Sequence, residues 1–174
     1  DKYDAESASM IALMKYGSGV PFNRLERLQG SLGIPLPAAT QWEVVEEVAD
    51  LIEPVFEPMA HKAAQGRVLH NDDTTMKVLE LCRRNETTSK EKRKGVFTSG
   101  IVSVVDNHRI ALFFTGHQHA GENLAELLKQ RHTDRQRPIQ MCDALSRNAP
   151  ESLKTILGNC LTHGRRRFVE LAPN

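Results

Sequence analysis

The spacing of apolar and polar positions changes once along the chain. In the first third, apolar side chains recur at helical intervals. Ala8, Ile11, Ala12 and Met14 form one run stopped by Gly17-Ser18-Gly19; Leu25 and Leu28 form a second, after Pro21, that ends at Gly30 and Gly33. A longer stripe of Trp42, Val45, Val48, Ala49, Ile52 and Phe56 predicts a third helix over 40–64, with Pro54 and Pro58 expected to kink or end it. From Arg67 the period shortens toward two. The runs 67–80, 95–106 and 109–115 are rich in Val, Ile, Thr and Phe, and only Asp106-Asn107-His108 separates the last two, which predicts a hairpin. A helix over 122–131, with Leu124, Leu127 and Leu128 inward, then leads to a fourth strand at 138–143 and a fifth near 155–161.

Strands joined through a helix normally run parallel. The fold class expected is therefore α/β, a mixed five-stranded sheet with three antiparallel strands followed by two parallel ones and helices on its flanks. The domain reading is an N-terminal helical region, 1–66, followed by a sheet-bearing core, 67–174. The helices and glycine-bearing turn of the first region resemble a helix-turn-helix with Gln41 and Glu43 near the start of its recognition helix. Glu43, Glu46, Glu47 and Asp50 would then face phosphate, so a packing role is the better reading.

Composition excludes several classes. At 174 residues, 40% hydrophobic and 26% charged, the chain suits one buried core with a small extension rather than a disordered or fibrous protein. No run is long and apolar enough for a membrane span. The cysteines, Cys82, Cys142 and Cys160, are odd in number, which argues against a disulfide framework and predicts a reducing, cytoplasmic setting. The chain opens on Asp1 rather than Met, and it is expected to be a piece of a longer protein.

Charge is unevenly distributed. Residues 1–60 hold four Lys and Arg against ten Asp and Glu, whereas 61–174 hold nineteen against twelve, so a polyanion would bind the second part. The basic residues cluster at Arg83, Arg84, Lys90, Lys92, Arg93 and Lys94, at Arg131, Arg135 and Arg137, and at Arg165, Arg166 and Arg167. For any one cluster alone, a solvated face is as good a reading as a phosphate contact.

Two acidic residues stand in unusual places. Asp72 lies within the first predicted strand and Asp143 ends the fourth; Asp is depleted in strands and costly to desolvate without a partner. If those strands are neighbours, both carboxylates can share a hard divalent cation, which prefers oxygen ligands. Taken alone, each fits a strand end or turn cap equally well. Cys160 and His163 have a ligand-like spacing but no second pair to complete a zinc site. Ser146 has no His partner at a useful spacing, and no glycine loop cradles a nucleotide.

Four segments together are more specific. Val68-Leu69-His70-Asn71-Asp72-Asp73-Thr74, His119-Ala120-Gly121-Glu122-Asn123-Leu124, Asp143-Ala144-Leu145-Ser146-Arg147-Asn148 and Asn159-Cys160-Leu161-Thr162-His163-Gly164-Arg165-Arg166-Arg167-Phe168 resemble, in order and spacing, the transposases of the insertion sequence 66 family. The resemblance covers nearly the whole chain. It implies a ribonuclease H-like catalytic core of the DDE type, in which two Asp and a later Glu hold two Mg2+ or Mn2+ ions for DNA strand cleavage and strand transfer. Asp72 and Asp143 match the two Asp, as catalytic and metal-binding residues. Asp73 is assigned no metal, and the Glu is expected beyond Asn174, leaving this piece inactive. Transposon ends and target DNA are the implied partners, with a possible homo-oligomer acting at the bacterial nucleoid. The DNA contacts expected are Arg83, Arg84, Lys92, Arg93, Lys94, His119, Arg147, Arg165, Arg166 and Arg167. Two other readings share the same residues: a noncatalytic DNA-binding module, and a ribonuclease H-like nuclease that does not transpose.

Overall fold

The computed structural model of the protein describes residues 3–76, 95–143, 145–149 and 154–171. The chain forms two compact units, Asp1–Glu57 and Pro58–Asn174. The change from helical to strand period falls at 66/67, nine residues after that division.

In the first unit, α1 (Ala5–Ala12) starts at Asp4, whose carboxylate accepts the Ser7 N–H at 2.8 Å, and unwinds through a π turn at Leu13–Gly17. After α2 (Phe22–Ser31) comes α3 (Ala38–Ala64). Ala8, Ile11, Leu36, Val44 and Val45 form the core of this unit. The predicted stripe is only partly inward: Val45 is buried, whereas Trp42 is 52% exposed and meets Phe22 edge-on. Pro54 and Pro58 do not end α3, contrary to the expectation from sequence. Each proline removes one N–H, which frees the carbonyls of Asp50 and Pro54. Residues 49–59 are all exposed, so water can serve those carbonyls.

The second unit holds β1 (Val68–Thr75), β2 (Phe97–Val105), β3 (His108–Gly116), α4 (Ala120–Leu128), β4 (Ile139–Cys142), β5 (Ile156–Asn159) and α5 (Leu161–Leu171). Its sheet has the order β3-β2-β1-β4-β5, with β1, β2 and β3 antiparallel and β4 and β5 parallel to β1. The predicted hairpin turns tightly, with Val105 opposite His108 and Asp106 at φ 52°, a left-handed conformation that Asp tolerates better than most residues. Gly66, just before β1, is required by space: a Cβ there would lie 2.0 Å from Ser103 Oγ and 3.1 Å from the Val104 carbonyl.

One face of this sheet packs against α4 and the end of α3. Leu69, Ile101 and Leu112 meet Ala60, Ala63, Ala64, Leu124 and Leu127 there. Strand alternation carries that face along β1 from Leu69 to Asn71 and Asp73, and leaves His70 and Asp72 on the opposite face.

Candidate functional site

Adjacent residues of β1 have opposite fates. The Asp73 side chain is 1% exposed and holds three donors: Ser99 Oγ at 2.8 Å, His119 Nδ1 at 2.9 Å and the Ala120 N–H at 2.7 Å. It thus fastens the first turn of α4 to β1, where a helix N-terminus favours negative charge. The Glu122 carboxylate accepts the His119 N–H at 2.9 Å and completes that junction. The Asp72 side chain, 57% exposed, faces the other way. Its partner on β2 is Gly100, which contributes no side chain; the Phe113 ring of β3 lies 3.6 Å from where a Cβ would sit.

Asp143 follows the last residue of β4. The parallel register of β1 and β4 has a constant offset of 71 residues, with Val68 opposite Ile139 and His70 opposite Met141. The pairing ends at His70 and Met141; the same offset, carried two residues further, leads from Asp72 to Asp143, the residue after β4. Asp143 Oδ1 accepts Asn148 Nδ2 at 2.5 Å and the Leu145 N–H at 3.2 Å. Its Oδ2 has no hydrogen bond among the described residues.

Behind these carboxylates lies a buried polar lattice. Gln140 donates to Asn71 Oδ1 at 3.0 Å and to the Asn148 carbonyl at 2.6 Å, and accepts Thr155 Oγ1 at 2.9 Å. Asn71 Nδ2 also donates to the Asn148 carbonyl, at 2.9 Å. This lattice couples β1 to β4 and fixes the residue that grips Asp143. The sequence reading missed Asn71, Gln140 and Asn148. The available signal was the alternation from Leu69, which puts Asn71 on the core face.

On the face of Asp72, a groove of about 270 Å³ has His70, Asp72, Gly100, Cys160 and His163 in its walls. His163 Nε2 lies 3.6 Å from Asp72 Oδ2. Cys160 precedes the first residue of α5, and the His163 backbone N–H and ring, with further help from Thr162, draw its thiol down to about 7. The sulfur in turn raises the His163 imidazole, helped by Asp72 and Asp143. Cys142 behaves oppositely: burial, then the charges of Asp143 and Asp72, raise its thiol. Alkylation by iodoacetamide, followed by peptide mass mapping, is expected to label Cys160 well before Cys142 at pH 7.5. The Cys160 rate should rise with a midpoint near 7, and His163→Ala should move that midpoint upward.

The remaining candidates are scattered. His119 is engaged by Asp73 and stacks on Phe97, with ring centroids 4.3 Å apart. Arg147 Nε lies 3.9 Å from Asp73 Oδ2, and its side chain is 45% exposed. Arg165 is exposed on α5; Arg166 and Arg167 lie on that helix, but their side chains are outside the description. Arg83, Arg84, Lys92, Arg93 and Lys94 lie outside the described residues.

Among the described residues, no three His, Cys, Asp or Glu side chains group closely enough to enclose a metal ion. Asp72 and Asp143, whose charges both act on Cys142 and His163, offer oxygen ligands alone. That donor set fits Mg2+ or Mn2+, which take few protein carboxylates and retain water or phosphate oxygens. It does not suit zinc, which prefers a closed shell of nitrogen and sulfur.

A mixed five-stranded sheet of this order, three strands antiparallel and two parallel, with helices on its flank, defines an α/β protein. The family model described as "Transposase IS66 family" matches residues 2–174. The chain belongs to that family. No curated protein and no solved structure matches it. Among the described residues, no helix is long and apolar enough to cross a membrane.

Proposed function

We propose that this chain is the catalytic core of a DDE-type DNA transposase, in which Asp72 and Asp143 hold divalent Mg2+ or Mn2+ for DNA strand cleavage and strand transfer. The observation that supports this reading is the parallel pairing of β1 with β4 in an IS66-family chain, whose offset of 71, if continued past His70 and Met141, leads to Asp72 and Asp143. When bound, a pair of such ions activates the attacking oxygen and stabilises the leaving one during in-line phosphodiester chemistry.

The chain's own residues prepare the site. Asn148 and the Leu145 N–H occupy one oxygen of Asp143, which leaves the other to take a cation. Asp72 keeps Oδ1 on the Asp73 N–H at 2.8 Å and presents Oδ2 beside His163. Transposon ends and target DNA are the proposed substrates, in the cytoplasm and at the nucleoid, with a possible homo-oligomer as the acting form. The helical region, 1–66, precedes the core, 67–174.

Titration with Mn2+, followed by paramagnetic broadening of backbone amide signals, tests the reading. Signals around Asp72 and Asp143 are expected to broaden first, with an affinity lowered about tenfold or more by either Asp72→Asn or Asp143→Asn. Broadening that ignores both substitutions would sink it.

A further inference from the structure

The cluster Arg131, Arg135 and Arg137 has no part in the site above. The fold gathers it into a cavity of about 710 Å³ beside Pro138, which precedes the first residue of β4. Asp143 follows the last residue of that strand, so the two places lie at opposite ends of it, roughly 16 Å apart along the strand. Lys129, Arg131, Arg135, Arg137 and Lys154 line the cavity, and none of its lining residues is acidic.

These five cations do not have equivalent roles. Lys129 is paired with Glu126. Arg131 is structural: its Nη1 donates to the carbonyls of Ala64 at 2.6 Å and Gly66 at 2.8 Å, and its Nη2 to that of Gln136 at 2.7 Å. Its Nε is buried without a hydrogen-bond partner among the described residues. Burial, then the charge of the neighbouring Arg135, lowers the Arg131 guanidinium below its ordinary value. Arg135, Arg137 and Lys154 are exposed and make no ion pair among the described residues.

Helix-dipole stabilisation accounts for only part of this arrangement. The cavity lies at the carboxyl end of α4, where the partial negative charge amounts to about half an electron and offsets at most one cation. Gathering three more unpaired cations around a concavity costs self-repulsion that a bound polyanion relieves. Two exposed guanidiniums and an ammonium lining one cavity suit phosphate oxygens, which Arg grips in bidentate fashion and Lys as a point charge.

We infer that the cavity walled by Arg135, Arg137 and Lys154 is a second DNA-binding site, which takes backbone phosphates of duplex DNA at the end of β4 away from Asp143. This rests on the reading that the chain acts on DNA, but not on the metal site. The site carries no base specificity and holds the duplex in place.

Fluorescence anisotropy with a labelled 20-base-pair duplex in EDTA, over a series of salt concentrations, tests it with the full 174-residue chain. Arg131 is left intact because its guanidinium holds backbone carbonyls. The triple variant Arg135→Ala, Arg137→Ala, Lys154→Ala is expected to bind at least tenfold more weakly at about 0.1 M salt. Its log–log salt slope should be shallower by about two to three, since each lost phosphate contact removes about 0.9. In the wild-type chain, DNA should also protect Lys154 from acetylation by an N-hydroxysuccinimide ester, a readout that needs no substitution. Equal affinity and slope in wild type and triple variant, with Lys154 unprotected, would overturn the inference while leaving the transposase reading intact. Absence of wild-type binding would also overturn it, and the metal titration would still judge the catalytic site separately. If a polyglutamate peptide protects Lys154 better than the duplex does, the cavity is a protein-docking site and the inference fails.

Discussion

Asp73→Ala is expected to destabilise the second unit by about 3–5 kcal/mol, the scale for removing one partner from a buried ionic network. The carboxylate is nearly inaccessible and collects three donors from β2 and the start of α4. Alanine leaves the Ser99 hydroxyl, the His119 Nδ1–H and the Ala120 N–H without that acceptor, at about 1–3 kcal/mol for each group that stays buried and unpaired. Water entering the vacated space recovers part of this, so the total falls short of the sum. Urea denaturation followed by far-ultraviolet circular dichroism measures the loss, and Asp73→Asn, which keeps one acceptor oxygen, should lie between wild type and alanine. A midpoint for Asp73→Ala within experimental error of wild type would remove Asp73 as the fastening of α4 to β1. Asp72→Ala, one position away on the exposed face, should change stability by less than about 1 kcal/mol.

The second large effect is expected at Gln140, whose side chain is fully buried between β1 and β5. Gln140→Leu preserves volume approximately but leaves Asn71 Oδ1 without a donor and Thr155 Oγ1 without its acceptor. Two such groups predict a loss of about 2–4 kcal/mol. The same substitution also loosens Asn148, which holds Asp143. Mn2+ affinity at the carboxylates should therefore fall about tenfold, the scale seen when a group supporting a metal ligand is removed. The two readouts separate the roles: lost stability with unchanged metal affinity would make the lattice structural only. Comparing affinities at low temperature, where both proteins are folded, keeps unfolding out of the measurement.

Much of the architecture was legible because local spacing carries it. The shift from helical to strand period near Arg67, the short turn at Asp106 and Asn107, and the helix between the third and fourth strands all correspond to observed elements. The α3 prolines misled because a proline's local penalty was weighed without asking whether water could reach the freed carbonyls; along 49–59 it can. Trp42 misled in a similar way. A periodic stripe tells which positions share a helix face but not how far neighbouring helices extend to cover it.

At the candidate site the division is sharper. Asp72 and Asp143 stood out in the sequence because a charge in or beside a strand needs a reason, and the family resemblance supplied one. Their different neighbours were also partly readable: alternation from Leu69 sends Asp73 inward and Asp72 outward before any coordinates are consulted. Asn148 could not be found that way, since it acts through a short helical turn five residues past Asp143.

By itself the sequence determined the elements, their order and the residue types able to bind metal or phosphate, because periodicity and side-chain chemistry are local properties. Only the tertiary structure decided which of those residues meet. The β1–β4 register pairs residues 71 positions apart, from Val68 with Ile139 to His70 with Met141, and chain folding collects Arg135, Arg137 and Lys154 around one cavity. Strand register is settled by burying one face of the sheet against α4 and by the Asn71–Gln140 lattice. It depends on packing between segments distant in sequence, which no local pattern records.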